Sequence, residues 1–161
     1  IQAGNSTEVP VINLDFYPTL MELIGREAPH ALDGLSLWPL LSGEGRLPDR
    51  PLYFHFPVYL EAYRKGLDGG RDPLFRTRPG SVIREGNWKL HYYYEDGASE
   101  LYKLSTDPGE TNNLATKYAS RTRDLRSKLF QWLQEENAPL EFELNPKFDS
   151  LFEQHSAAGP Y

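Results

Sequence analysis

The chain has 161 residues, with 17 Lys+Arg against 23 Asp+Glu and a formal charge of −6. That balance argues against nucleic acid as a general partner, and no run approaches the 18 consecutive apolar residues of a membrane-spanning helix. There is no Cys, which removes disulfides, thiolate metal sites and a Cys nucleophile. Large aromatics (10 Tyr, 8 Phe and 3 Trp) must carry much of the packing, because hydrophobic residues make up only 39%. The length suits one domain or a piece of a larger one. The abrupt start at Ile1, with no basic stretch followed by an apolar run, leads us to expect polypeptide upstream.

Residues 1–48 read as a helical, loop-rich connector. Asp15 can cap a helix whose first turn tolerates Pro18, with Leu20, Leu23 and Ile24 on one face and Gly25 at its end. Ser36 can cap a second short helix carrying Leu37, Leu40 and Leu41, with Gly43 after it. Left without a partner, the connector should expose Leu20, Leu23, Leu37 and Leu40 and so favour dimers.

Residues 49–137 read as a sheet and a helix. Strands are expected at 51–57, 81–86, 88–94 and 99–104. Gly86-Asn87 and Glu95-Asp96-Gly97-Ala98 supply the turns of an antiparallel meander. In the strand at 88–94, Trp88, Leu90 and Tyr92 share one face, and Lys89, His91 and Tyr93 share the other. Asp107-Pro108-Gly109-Glu110 breaks the sheet. A long helix then starts from Thr116 or Ser120 and runs to about Asn137. Its apolar stripe is Tyr118, Leu125, Leu129, Trp132 and Leu133, with Arg121, Arg123, Asp124 and Lys128 towards water. Residues 58–80 hold four Gly, two Pro and four Arg and read as a long irregular loop, a length that usually marks function or disorder. Residues 138–161 read as a tail that wraps a neighbour or frays. The fold class is α+β: a small four-stranded antiparallel sheet packed against a long C-terminal helix.

The usual catalytic constellations are missing. His30, His55, His91 and His155 have no ligand spacing, and there is no phosphate-binding Gly loop or nucleophile elbow. Asp68 and Asp72 bracket Gly69-Gly70 without the twelve-residue calcium pattern. The unusual region is 53–78, where Tyr53, His55, Tyr59, Tyr63, Arg64, Lys65, Arg71, Arg76 and Arg78 gather in an acidic chain. Arginine forks match sulfate, phosphate and carboxylate oxygens, and aromatic faces stack on sugar rings or apolar ligand surfaces, so the region suits an anionic ligand, a saccharide among the candidates. The plain alternative is that these arginines pair with acids or sit in water.

Several blocks in order resemble the type I sulfatases. Val11-Ile12-Asn13-Leu14-Asp15-Phe16-Tyr17-Pro18-Thr19-Leu20 resembles their DFYPTL segment, and Asp33-Gly34-Leu35-Ser36-Leu37-Trp38-Pro39-Leu40-Leu41-Ser42-Gly43 the DGxSLxPLLxG that follows. Arg50-Pro51-Leu52-Tyr53-Phe54-His55-Phe56-Pro57 is similar to the next block. Arg76-Thr77-Arg78-Pro79-Gly80-Ser81-Val82-Ile83-Arg84 and Gly86-Asn87-Trp88-Lys89-Leu90 resemble two strands of the family. Glu100-Leu101-Tyr102-Lys103-Leu104 and Asp107-Pro108-Gly109-Glu110-Thr111-Asn112-Asn113-Leu114 resemble its ELYxLxxDPxExxNL stretch.

The resemblance implies a C-terminal sulfatase subdomain, entered through a connector from an α/β catalytic domain that is its first partner. It also implies a parent that uses calcium and a formylglycine made from Cys or Ser in a Cys/Ser-x-Pro/Ala-x-Arg motif and acts on a sulfated small molecule or glycan; members of the family are often periplasmic, lysosomal or secreted. No such pentapeptide occurs here, and the paired Asp calcium ligands, the catalytic Lys and the catalytic His of the family match nothing in this chain. The 161 residues alone are therefore expected to be inactive, with no catalytic or metal-binding residue. His55, Tyr59, Arg64, Arg76 and Arg78 are the expected substrate contacts. Two other readings stay open: a stand-alone carbohydrate-binding or structural module, and the C-terminal part of a phosphonate or phosphate-ester hydrolase of the same alkaline phosphatase superfamily.

Overall fold

A computed structural model describes residues 1, 3–4, 6–61, 75–140, 146–149 and 151. It divides into two compact units, Ile1–Arg50 and Pro51–Tyr161. Arg64, Asp68, Asp72 and most of the tail from 138 lie outside the described residues.

In the first unit a 3-10 turn, Asn13–Asp15, leads into helix α1, Phe16–Leu23, and a second helix follows, α2, Trp38–Ser42. Asp15 precedes α1 but does not cap it through its side chain. The carboxylate is wholly buried, and burial demands donors from wherever they can be had. It accepts the N–H of Ile12 and of Leu35, each at 3.0 Å, and Arg50 Nη2 at 2.5 Å. Ser36 is likewise not the cap of α2; that position falls to Leu37. The Leu37 N–H donates to Thr19 Oγ1 at 2.8 Å, which draws α2 onto α1 and buries Leu37. Of the leucines expected to be open, Leu20 and Leu23 are exposed, and Phe16 and Ile24 with them. Gly34 is required where it stands, since a Cβ there would lie 2.1 Å from the Leu14 carbonyl oxygen.

The second unit is α+β. Its strands are β1, Leu52–Phe56; β2, Leu60–Glu61; β3, Phe75–Thr77; β4, Gly80–Glu85; β5, Trp88–Tyr93; and β6, Ser99–Lys103. A four-stranded antiparallel sheet runs β1-β4-β5-β6, and β2 and β3 make a separate antiparallel pair. That pair corrects the expectation of an irregular loop across 58–80. Helix α3, Ala119–Glu135, covers one face of the large sheet. Neither Thr116 nor Ser120 caps it: Tyr118 holds the cap position, and the Thr122 hydroxyl bonds back to the carbonyls of Ala115 and Tyr118.

Ile83, Leu90 and Leu101 from the sheet meet Leu125, Leu129 and Leu133 from α3, all wholly buried. At about 1.5–3 kcal/mol for each such side chain, this six-residue cluster dominates the unit's stability. Tyr53 stacks on Trp132, Tyr92 meets Phe130 edge-on and Trp88 meets Tyr118. Arg121 and Lys128 both reach Glu85 of β4, Lys128 remaining exposed as expected. The outer edge of β6 is closed by the chain that follows it. Asn113 Oδ1 accepts the Leu101 N–H, and the Leu114 N–H donates to the Leu101 carbonyl.

Candidate functional site

Three segments meet at one end of the large sheet. Phe56, the last residue of β1, lies opposite Gly80, the first of β4, and Gly80 lies opposite Tyr93, the last of β5. The β2–β3 pair lies within the β1–β4 connection, and the turn from Tyr94 to Gly97 leaves β5 at the same end. Gly80 lets these strands close up, because a Cβ there would meet the Tyr92 carbonyl at 2.6 Å. Most of the expected contact residues are brought here by antiparallel register rather than by closeness in sequence.

Tyr59 and Arg78 converge on Glu95. Arg78 Nη1 lies 2.6 Å from Glu95 Oε2, and the Tyr59 hydroxyl donates to Glu95 Oε1. The Arg78 guanidinium also lies over the Phe75 ring at 5.2 Å, and Tyr59 packs on Phe75 at a centroid distance of 4.9 Å. Arg76 is exposed on β3. The sequence marked Glu95 only as a turn residue; its position after a strand, opposite an Arg-rich segment, was the available signal.

His55 sits behind this group, on the face that α3 covers. Its Nδ1 lies 2.8 Å from Ser81 Oγ and 3.1 Å from Tyr94 Oη, and those two oxygens are 2.5 Å apart. Burial pushes the His55 pKa below its ordinary value, against the opposing pull of the Pro139 carbonyl. Burial likewise raises the Tyr94 pKa, opposed by the Ser81 hydrogen bond. A Ser–His contact invites comparison with a nucleophile and its base. Ser81 is only 1% exposed, however, so no ester can reach its oxygen. The triad of side chains is a brace that fixes Tyr94 and the turn beginning at Glu95.

The opposite face of the sheet carries a second polar group, which joins strand residues to Glu110 from the segment expected only to break the sheet. Glu110 accepts Lys89 Nζ at 2.6 Å and lies 2.7 Å from His91 Nε2. Glu100 Oε2 takes the hydroxyls of Tyr93 and Tyr102. Glu110 holds its place with a left-handed φ of 55°, a strained conformation for a residue with a side chain. Burial and then Lys89 lower the His91 pKa, and the carboxylate of Glu110 recovers only part of that. Burial acts to raise the Glu110 pKa, yet its bonds to Lys89 and His91 leave it below the ordinary value.

Among the described residues no three His, Asp or Glu side chains converge to hold a cation. No Cys, and no Ser in a Cys/Ser-x-Pro/Ala-x-Arg pentapeptide, occurs in the 161 residues. This end of the sheet gathers an arginine, a tyrosine and a carboxylate beside the Phe75 ring.

Comparison with known proteins follows the same line. The chain is 37% identical over 150 residues to a sulfatase of Formosa agariphila, covering 83% of this chain and 25% of that protein. It is 30% identical over 135 residues to an N-acetylglucosamine-6-O-sulfatase of Bacteroides thetaiotaomicron, covering 80% of this chain and 22% of that one. It thus spans about a quarter of the length of these curated relatives. The structure of BT4656, solved in complex with its substrate D-glucosamine-2-N,6-O-disulfate, aligns with a TM-score of 0.56 at 28% identity, over 80% of this chain and 25% of that chain. A phosphonate monoester hydrolase from Silicibacter pomeroyi aligns with a TM-score of 0.54 at 25% identity, over 83% of this chain and 26% of that one. Residues 1–138 match the family described as N-sulphoglucosamine sulphohydrolase, C-terminal, and the chain belongs to that family of sulfatase C-terminal domains.

Proposed function

We propose that this chain serves a sulfatase that hydrolyses sulfate esters of a saccharide, contributing grip on the substrate rather than the bond-breaking groups. In this reading the nucleophile and the calcium ion belong to polypeptide outside these residues. When bound, the metal would stabilise charge on the sulfuryl oxygens. Tyr59, Arg76 and Arg78 contact the sugar or its anionic groups, Arg64 is a further contact of the same kind, and His55 acts through Tyr94.

The observation that carries this reading is the meeting of Tyr59, Phe75, Arg78 and Glu95 at the sheet end where β1, β4 and β5 converge. An arginine fork beside aromatic faces is the chemistry a sulfated sugar needs. The exposed apolar face of α1 (Phe16, Leu20, Leu23 and Ile24) supports a second role, docking the remaining sulfatase polypeptide. The fourfold greater length of the curated relatives supplies that partner. The 37% identity to the Formosa agariphila sulfatase, against 25% to the Silicibacter pomeroyi phosphonate monoester hydrolase, favours a sulfatase as the parent.

The test is turnover by the purified 161-residue chain on 4-nitrophenyl sulfate with calcium supplied. The expected result is no hydrolysis above the buffer rate. Metal-dependent turnover by the chain itself would overturn the reading.

A further inference from the structure

We propose that Glu95 is a built-in counter-anion: it occupies Arg78 until the anionic group of a saccharide displaces it, and so sets which ligands the site accepts. The inference rests on the reading of Arg78 as a substrate contact and adds a specificity-determining residue to it.

The geometry supports an exchange of one anion for another. Glu95 Oε2 accepts from Arg78 Nη1 at 2.6 Å, a guanidinium N–H group of the kind a sulfate or carboxylate would use. The Phe75 ring lies over one flat face of the guanidinium, and an incoming anion would be held by the N–H groups, as Glu95 is. Tyr59 holds the other carboxylate oxygen, which keeps Glu95 seated when no ligand is present. The side chains of Arg78 and Glu95 are 19% and 34% exposed, and a pair this open is weak enough to be broken by a competing anion.

The backbone under Glu95 is fixed. The Tyr94 N–H donates to the Pro79 carbonyl, the Tyr93 N–H to Ala98 and the Gly97 N–H to Tyr93, while Tyr94 Oη is braced by His55 and Ser81. Displacement is therefore a side-chain rotation of Glu95 and leaves the turn in place. A neutral sugar offers nothing that replaces the lost ion pair, so discrimination between sulfated and unsulfated sugars follows from the pair itself.

The experiment is calorimetric titration of the 161-residue chain with N-acetylglucosamine 6-sulfate, with N-acetylglucosamine as the neutral control. Wild type is compared with Glu95→Gln, Glu95→Asp, Arg78→Ala and the Arg78→Ala/Glu95→Gln double variant, each checked for an unchanged fold by amide NMR spectra. Glu95→Gln is expected to bind the sulfated sugar about fivefold tighter, the worth of an exposed ion pair. Glu95→Asp keeps the charge but withdraws it from Arg78, and should show a smaller gain. Arg78→Ala should bind about tenfold more weakly, and the double variant no tighter than Arg78→Ala alone.

Weaker binding by Arg78→Ala with no gain from Glu95→Gln keeps the site and overturns the counter-anion. An equal gain from Glu95→Gln with and without Arg78 also overturns it, by showing a general effect of charge. Unchanged binding by Arg78→Ala, or no binding by any of the proteins, overturns both this inference and the reading beneath it. Should Glu95→Gln fail to fold, Glu95→Asp decides: no gain from it overturns the counter-anion.

Discussion

Arg50 Nη2 lies 2.5 Å from Asp15 Oδ2, and Asp15 is 0% exposed. The pair closes a loop of 35 residues, and the N–H groups of Ile12 and Leu35 complete the ring of donors around the carboxylate. Burial alone would raise the Asp15 pKa. The Arg50 hydrogen bond, the two backbone N–H groups and the Arg50 charge outweigh it, so the carboxyl stays below its ordinary value. Removing Asp15 strips the partly buried Arg50 and two N–H groups of their shared acceptor, at a cost of about 3 kcal/mol. Asp15→Ala should therefore loosen the whole first unit. Hydrogen exchange at the Ile12 and Leu35 amides checks this: both should lose protection, while Leu90 in β5 keeps its own.

The cluster around Glu110 predicts acid sensitivity of the second unit. The folded state holds His91 below its ordinary pKa of 6.5, chiefly by burial and then by Lys89. A histidine depressed on folding stabilises fully above its unfolded pKa, and this contribution is lost as pH falls below about 6.5. Glu110, also depressed, adds a loss in the same direction at lower pH, below its ordinary 4.5. The urea midpoint should thus fall between pH 7 and pH 5.5, and His91→Asn should flatten that slope. A midpoint that rises on acidification would contradict the assignment.

The exposed face of α1 predicts self-association when the chain is alone. Phe16, Leu20, Leu23 and Ile24 present an apolar stripe that water covers poorly. Sedimentation velocity should show a concentration-dependent species for the wild-type chain, and Leu20→Glu/Leu23→Glu should sediment as a monomer. Helix α3 should be unaffected, since its own stripe is buried on the sheet.

Much of this fold was legible because local periodicity and tertiary burial agree. Trp88, Leu90 and Tyr92 alternate with Lys89, His91 and Tyr93, and the structure puts the first three on α3 and the others on the opposite face. Leu125, Leu129 and Leu133 repeat every four residues and all are buried. What escaped has non-local causes. Strands β2 and β3 hold two and three residues, too few for a pattern, and lie far apart within a segment rich in Gly and Arg. Asp15 looked like a helix cap because two of its three partners, Leu35 and Arg50, are 20 and 35 residues away. Glu95 gained meaning only when antiparallel pairing brought it to Arg78, and Glu110 only when a left-handed backbone turned it towards Lys89 and His91.

The central claim is that this chain grips the substrate and leaves the chemistry to other polypeptide. Steady-state kinetics of Arg76→Ala and Arg78→Ala in the full sulfatase polypeptide, on its sulfated saccharide, test it most directly. A contact made equally in the ground and transition states predicts a KM raised about tenfold with kcat within about twofold. Unchanged kinetics, or a collapse of kcat at constant KM, would contradict it.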